Sequence, residues 1–370
     1  MKILYVGIFL LTQHFKSKGI DGMEKTVSVI IAVYNMEKYL DKCLASLIIE
    51  DKELMRQLEV LVVIDGAKDR SSEIAHTYQN RFADTFRVID KENGNYGSCI
   101  NRGLKEATGR YVKVLDADDY FDTANFEIYL KKLLNQDNDL IITNFEYVNE
   151  QYVTTGLKNR NIAANTTFVF SDVMYDFNAN LISMHELTYR RDIFIKLSYH
   201  QTEGISYTDL EWCFIPMIAV NTVVYFDIVV YKYLIGREGQ TVSPVIAMRT
   251  LSHKMKSGMV MARQYEANKD IDFSHKAYLN KRIVWSVGAI YYNYLVSYYK
   301  HLSLDELIAF DKELQTEAPF VYRLLDDEVL LQTIPIRYIS AWRRQNDLHN
   351  IPMSVRIGIG IISIYQKIKH

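Results

Sequence analysis

Residues 110–119 read Arg110-Tyr111-Val112-Lys113-Val114-Leu115-Asp116-Ala117-Asp118-Asp119, a strand-like apolar run that ends in a cluster of carboxylates. Asp116 and Asp118 stand two apart at the end of that run, so their side chains can point the same way. Two carboxylates on one side make a hard-oxygen site suited to Mg or Mn, with room left for phosphate oxygens and water. A D-x-D triplet alone is weak evidence, because solvated turn aspartates are common. Its weight depends on what surrounds it.

Working outward, Val27–Val33 (VSVIIAV) is an almost unbroken apolar run, the pattern of a strand buried on both faces. Asn35 is placed to cap the helix after it. In that helix Met36, Tyr39, Leu40, Cys43, Leu44, Leu47 and Ile48 recur at helical spacing. Leu58–Ile64 (LEVLVVI) is a second buried strand, broken by Asp65-Gly66, with Ser71 or Ser72 capping a helix through Phe82. Phe86–Ile89 is a short third strand. A helix runs from the loop 93–97 to Ala107, with Gly109 as its stop. Residues 110–115 are then the fourth strand. This alternation predicts an α/β fold: a mixed, mostly parallel sheet flanked by helices. Ligands in such sheets bind beyond the carboxyl ends of the strands. Asn35, Asp65, Asn93 and Asp116 all follow strand ends.

Further on, Leu140–Tyr147 reads as a strand, 149–165 as loops or an edge hairpin, and Asn221–Leu234 as strands. From Ser243 the pattern becomes helical. The expected organisation is a leader or non-native start at 1–22, a catalytic domain at 23–242 and a mainly helical region at 243–370. The leader expectation rests on Lys2 and the apolar Ile3–Leu11, which no small-residue cleavage site follows.

Composition narrows the function. Of 370 residues, 49% are hydrophobic and 24% charged, which supports a proper core. A net charge of -2 argues against a general nucleic-acid binder. Three scattered cysteines without a CxxC pair point to a reducing, cytoplasmic setting rather than a disulfide framework or zinc site. Residues 283–299 carry no charge but hold polar side chains and five tyrosines, so a buried helix is favoured over a span. The isoleucine-rich stretch from Val355 to Lys369 either docks on its own domain or touches an anionic membrane face.

The segments VSVIIAVYN, VVIDGAKDRS, ENGNYGSCINRGLKEATG and YVKVLDADDYF occur in that order. They resemble the N-terminal half of the family 2 glycosyltransferases of GT-A (Rossmann-like) fold. The resemblance covers Val27–Phe121 strongly, continues loosely to Ser243 and fades in the last quarter. It implies an inverting transferase with a nucleotide-sugar donor, UDP being the expected nucleotide, and a divalent cation, Mn or Mg. Ala32 and Tyr34 would lie against the nucleotide and Asp65 on its base. Asn93, Gly94 and Asn101 would shape the donor pocket. Asp116 and Ala117 would bind on the ribose side, with Asp116 also helping Asp118 hold the metal. Two departures touch base recognition: Ile64 replaces a frequent acid, and Ala67 replaces the serine of the DGS pattern.

A second segment, Glu203–Trp212 (EGISYTDLEW), resembles the family stretch in which an aspartate before a helix is the general base. That assigns Asp209 as base, with Glu211 as the nearby alternative; helix capping is the competing role. His185 stands where relatives approach the acceptor. Arg237 precedes Gln240-Thr241, in a region that closes over the donor diphosphate. The acceptor implied is a cell-envelope glycan or lipid-linked sugar at the inner membrane face. A nucleotidyltransferase would need a glycine- and lysine-rich phosphate loop, and a dehydrogenase a G-x-G-x-x-G; neither is present. A binding module that kept the fold without turnover is the remaining alternative.

Overall fold

Residues 25–237, 248–330 and 335–369 are described by the computed structural model. The first strands form where the apolar runs predict them: β1 (Val27–Val33), β2 (Leu58–Asp65), β3 (Phe86–Lys91) and β4 (Tyr111–Val114). Between them lie α1 (Leu40–Ala45), α2 (Lys52–Gln57), α3 (Ser71–Arg81) and α4 (Asn95–Glu106). There follow β5 (Tyr120–Phe121), α5 (Thr123–Leu133), β6 (Leu140–Val148), β7 (Thr154–Lys158), β8 (Thr167–Val169), α6 (Phe170–Ala179), β9 (Leu187–Arg190) and α7 (Asp192–Lys196). Next come the short α8 (Asp209–Trp212) and the long β10 (Thr222–Leu234). The C-terminal helices are α9 (Leu251–Ala267), α10 (Phe273–Tyr292), α11 (Asp305–Glu317), α12 (Pro319–Leu324), α13 (Tyr338–Arg343) and α14 (Met353–Lys369).

The strand order is β3-β2-β1-β4-β9-β6-β10-β5, with β7 on β6 and β8 on β10. β1 runs parallel to β2 and β4, and β2 parallel to β3. The other half is mixed: β9 lies antiparallel between β4 and β6, while β6 and β10 are parallel. Side chains alternate across the sheet. Val29 and Ile31 join the face covered by α1 and α5, whereas Ile30 joins the face covered by α4. That second apolar cluster continues without interruption through α6 into Tyr265, Tyr278, Tyr294 and Trp342 of the C-terminal region. Many tyrosines therefore serve as core, which is one reason their abundance carries no functional signal.

Several local expectations are corrected. Asn35 does not cap a helix. It adopts a left-handed φ of 54° and its Oδ1 accepts from the Lys68 amide at 2.8 Å, tying the loop after β1 to the loop after β2. The helix expected from Met36 to Ile48 shortens to α1, whose N-cap Tyr39 makes no side-chain cap bond. Arg70, not a serine, is the N-cap of α3; Ser71 is its first residue. α4 stops at Glu106, and Gly109 serves close approach instead: a Cβ there would lie 2.5 Å from the Ser28 nitrogen. The stretch 149–165 does contain an edge strand, β7, antiparallel to β6.

The uncharged stretch 283–299 ends α10 and passes into a π-helical turn, Asn293–Ser297, with Ile283, Val287, Ile290, Tyr294 and Leu295 buried. Among the described residues no helix is long and apolar enough to cross a membrane. The start segment at 1–22 and the boundary near Ser243 lie outside the described residues.

Candidate functional site

The loops after the parallel strands hold an unusual share of left-handed backbone. Asn35, Gly66 and Asn95 have φ of 54°, 66° and 65°. A Cβ on Gly66 would lie 3.0 Å from the Asn93 nitrogen, so glycine there serves both conformation and approach. Asp65 is buried at the end of β2. Its Oδ1 accepts from Lys91 Nζ at 2.6 Å and from the Gly94 amide at 2.9 Å, while Asn93 Nδ2 donates to the Asp65 carbonyl at 2.9 Å. Asp65, Asn93 and Gly94 thus form one braced turn. Tyr34 is exposed on the neighbouring loop after β1, and Ala32 is half-buried near the end of that strand.

The carboxylate cluster extends β4: the Leu115 amide donates to the Ile30 carbonyl at 3.0 Å, and the Asp119 amide closes the turn onto the Asp116 carbonyl at 3.0 Å. Tyr231 of β10 clamps this turn. Its hydroxyl donates to Asp119 Oδ2 at 2.6 Å and accepts from the Asp116 amide at 3.1 Å. The Leu234 amide donates to Asp119 Oδ1 at 2.7 Å. Both Asp119 oxygens therefore hold the turn. Ala117 is buried beneath it.

Asp116 and Asp118 remain half-buried at the surface of the turn. Burial, then the charge of Asp118, pushes the Asp116 carboxyl up to about 7, against the pull of a hydrogen bond from the Tyr96 hydroxyl at 3.0 Å; Asp209 adds to the push. Asp118 pairs with the Arg237 guanidinium. One oxygen or ring nitrogen from each of Asp116, Asp119 and His185 lies within 4.8 Å of the others. The ligand atoms that converge thus include His185 and Asp119 alongside Asp116, while Asp118 faces an arginine. Two carboxylates and a neutral ring nitrogen that converge in this way are chemically suited to a divalent cation.

His185 is buried in a short 3₁₀ turn, Met184–Glu186. Its ring stacks on Tyr233 with centroids 4.3 Å apart, and Nδ1 lies 2.5 Å from Ser183 Oγ. Burial, with the nearby Lys113 charge, holds its pKa down to about 3, so the ring is neutral. Lys113 lies fully buried below and donates to the His185 carbonyl at 2.9 Å. Glu186 is held bidentately by the buried Arg160 at 2.7 and 2.8 Å and accepts from the Ser183 amide at 2.8 Å.

Asn101 directs its hydrogen-bonding groups to the protein itself. Its side chain grips the backbone of Gln201, with Nδ2 donating to the Gln201 carbonyl and Oδ1 accepting from its amide, both at 2.8 Å. Gln201 is buried and its Nε2 donates to the Thr208 carbonyl at 2.8 Å and hydroxyl at 2.9 Å. The Gly204 amide donates to the Gly94 carbonyl at 3.0 Å. α4 therefore anchors the segment that ends in Asp209. Just before it, Tyr207 has a φ of 66°, a costly conformation for an aromatic residue, of the kind that concentrates at functional sites.

Asp209 opens α8, half-exposed, with its carboxyl pKa raised by burial and lowered by the charge of Arg282. Glu211 is sealed from solvent, and its Oε2 accepts from the Thr202 amide at 2.9 Å. The two acids thus differ: one can meet a solute, while the other braces the 201–204 loop. That loop is close-packed on α4, since a Cβ on Gly97 would lie 2.0 Å from the Thr202 carbonyl oxygen. Gly97→Ala is expected to destabilise the protein by about 3 kcal/mol, the upper end of usual overpacking costs, measured by urea denaturation.

Sequence reasoning missed Tyr96, Tyr231, Lys113 and the Arg160–Glu186 pair. Tyr96 sits inside the quoted ENGNYGS stretch, so its signal was available. The others lie in strands or loops where only the folded pairing brings them to the carboxylates.

Residues 28–198 match the model described as Glycosyl transferase family 2. Over that segment the chain is similar to the glycosyl transferase family 2. Over 115 residues it is 36% identical to the glycosyltransferase EpsJ of Bacillus subtilis, a match covering 31% of this chain and 32% of EpsJ. GlyA of Streptococcus pneumoniae is 32% identical over 128 residues, covering 35% of this chain and 18% of GlyA. YibD of Escherichia coli is 27% identical over 214 residues, covering 56% and 60%. The chain thus spans less than two thirds of the length of each of these relatives. Among solved structures, S. aureus TarS 1–349 superposes with a TM-score of 0.57 at 18% identity, covering 86% of this chain and 87% of TarS 1–349. Its complex with UDP-GlcNAc gives 0.55 at 19%, covering 81% and 83%. The α/β fold, with its GT-A-like mixed sheet and helical C-terminal region, is shared across that length.

Proposed function

We propose that this chain is a metal-dependent, inverting glycosyltransferase that moves a sugar from a nucleoside diphosphate donor, UDP being favoured, to a hydroxyl of a cell-envelope glycan or lipid-linked acceptor. The observation that carries this reading is the pairing of Asp116 and Asp118 at the end of β4 within the field of a separate, half-exposed carboxylate, Asp209. The family 2 match supports the reaction class, and the UDP-GlcNAc complex of TarS supports the donor class.

In the mechanism, the strand ends and loops bearing Ala32, Tyr34, Asp65, Asn93 and Gly94 hold the nucleotide, and Asn101 acts indirectly by anchoring the Gln201–Thr208 segment. Asp116, and Asp118 once Arg237 turns away from it, would hold a Mn or Mg ion with His185 in reach; when bound, that ion would offset charge on the leaving diphosphate. Arg237, now paired with Asp118, is placed to turn toward the same phosphates. Asp209 removes the proton from the acceptor hydroxyl. The hydroxyl oxygen attacks the anomeric carbon from the face opposite the nucleotide, so configuration inverts without a covalent enzyme intermediate. Neutral His185 can accept or donate a hydrogen bond at the acceptor. The reaction would take place in the cytoplasm at the inner face of the membrane.

A thermal-shift screen of nucleotide sugars with and without Mn tests the donor assignment. At a hundredfold excess over its dissociation constant, a ligand stabilises the folded state by about 2.7 kcal/mol. A UDP-sugar is expected to raise Tm more with Mn than without. If no nucleotide sugar moves Tm under either condition, the donor assignment fails.

A further inference from the structure

α14 is apolar on two opposite sides. Val355 is fully buried, and Ile359 and Ile362 pack against the same core as α10 and α13. On the other side Met353, Ile357, Ile361 and Ile364 are 73%, 57%, 46% and 61% exposed. At 3.6 residues per turn these four lie within a stripe about 80° wide and about 16 Å long. Gly360, just beside the stripe, faces open space. An ordinary surface helix would turn charge outward there.

Charge identifies the occupant. From Leu348 to His370 the sequence holds Arg356, Lys367 and Lys369 and no aspartate or glutamate, in a chain whose net charge is -2. A second copy of the chain would bring the same unbalanced positive charge to the contact. An anionic lipid surface offers both an apolar layer for the isoleucines and phosphates for the cations. The helix is too short and too firmly docked on one side to span.

We propose that α14 is an interfacial membrane helix that inserts Met353, Ile357, Ile361 and Ile364 among the headgroups and acyl ends of an anionic bilayer. This adds to the transferase reading and does not depend on it, because binding is read without turnover.

The test is flotation of the full chain with vesicles of phosphatidylcholine alone or mixed with phosphatidylglycerol. Binding to the mixed vesicles is expected to exceed binding to phosphatidylcholine and to weaken with salt. The double substitution Ile357→Asp, Ile361→Asp should weaken it by about tenfold or more, a loss of about 1.4 kcal/mol, with Tm unchanged because both positions are exposed. Arg356→Gln should reduce the preference for phosphatidylglycerol. The proposal is overturned if the chain does not float with anionic vesicles, or if the double variant floats equally well. It is also overturned if light scattering finds that the stripe only joins two copies, with no vesicle binding.

Discussion

Asp209→Asn is expected to lower the turnover of sugar transfer by about 10²–10⁴-fold, the range set by loss of a positioned general base. Donor affinity should change little, because the contacts assigned to the nucleotide lie on the loops after β1, β2 and β3. The isostere keeps the start of α8 intact, so Tm should hold. In the unmodified protein a base at Asp209 would work only when ionised, and burial raises the Asp209 pKa. The acid limb of kcat/KM should therefore fall above the ordinary aspartate value of about 3.9. Glu211→Gln supplies the contrast: Glu211 is sealed and bonded to the Thr202 amide, so its substitution should show in stability before chemistry. If Asp209→Asn kept near-normal turnover and Glu211→Gln lost it, the two acids would have to exchange roles.

Asp118→Ala carries the second large effect. It removes one of the two half-exposed carboxylates on the turn and frees Arg237 from its ion pair. Transfer is expected to drop by about 10²–10³-fold, the cost of losing a main element of leaving-group stabilisation. Mn-dependent nucleotide binding should fall with it, as read by calorimetry, whereas metal-free binding should change little. This pattern separates the two substitutions: Asp209→Asn should lower turnover alone, and Asp118→Ala both binding and turnover. Removing Asp118 should also let the Asp116 carboxyl move down from about 7, since the Asp118 charge is the largest influence on it after burial.

The parallel half of the fold was legible because VSVIIAV and LEVLVVI are buried on both faces and bounded by Asn, Asp and Gly. Burial of that kind is written locally. The strand order was not: the four-residue LTYR segment of β9 becomes a central strand only because β4 and β6 leave a gap that it fills antiparallel. Capping was misread at Asn35 because its side chain found a backbone partner 33 residues away instead of the adjacent helix. In the candidate site the carboxylates were visible because their D-x-D follows the fourth apolar strand of an alternating α/β pattern; the spacing alone would have been weak evidence. Their supports were not visible. Lys113 looks like an outward strand residue in YVKV, yet it is fully buried and holds the backbone of His185. Tyr231 reads as one of many core tyrosines, yet its hydroxyl fixes both Asp116 and Asp119. Asn101 was assigned to the donor by likeness, and the structure gives its hydrogen bonds to the loop that carries the acid of α8.

The central claim is that one turn, Asp116–Asp119, binds a nucleotide sugar through a metal while Asp209 activates the incoming hydroxyl. Release of UDP from a panel of UDP-sugars in the presence of Mn tests it most directly, because slow transfer to water needs no knowledge of the acceptor. The account predicts UDP release above the protein-free rate with at least one donor, lost on Asp118→Ala and reduced on Asp209→Asn. It would be contradicted by folded protein that releases no UDP from any donor, or by release that continues unchanged in both variants.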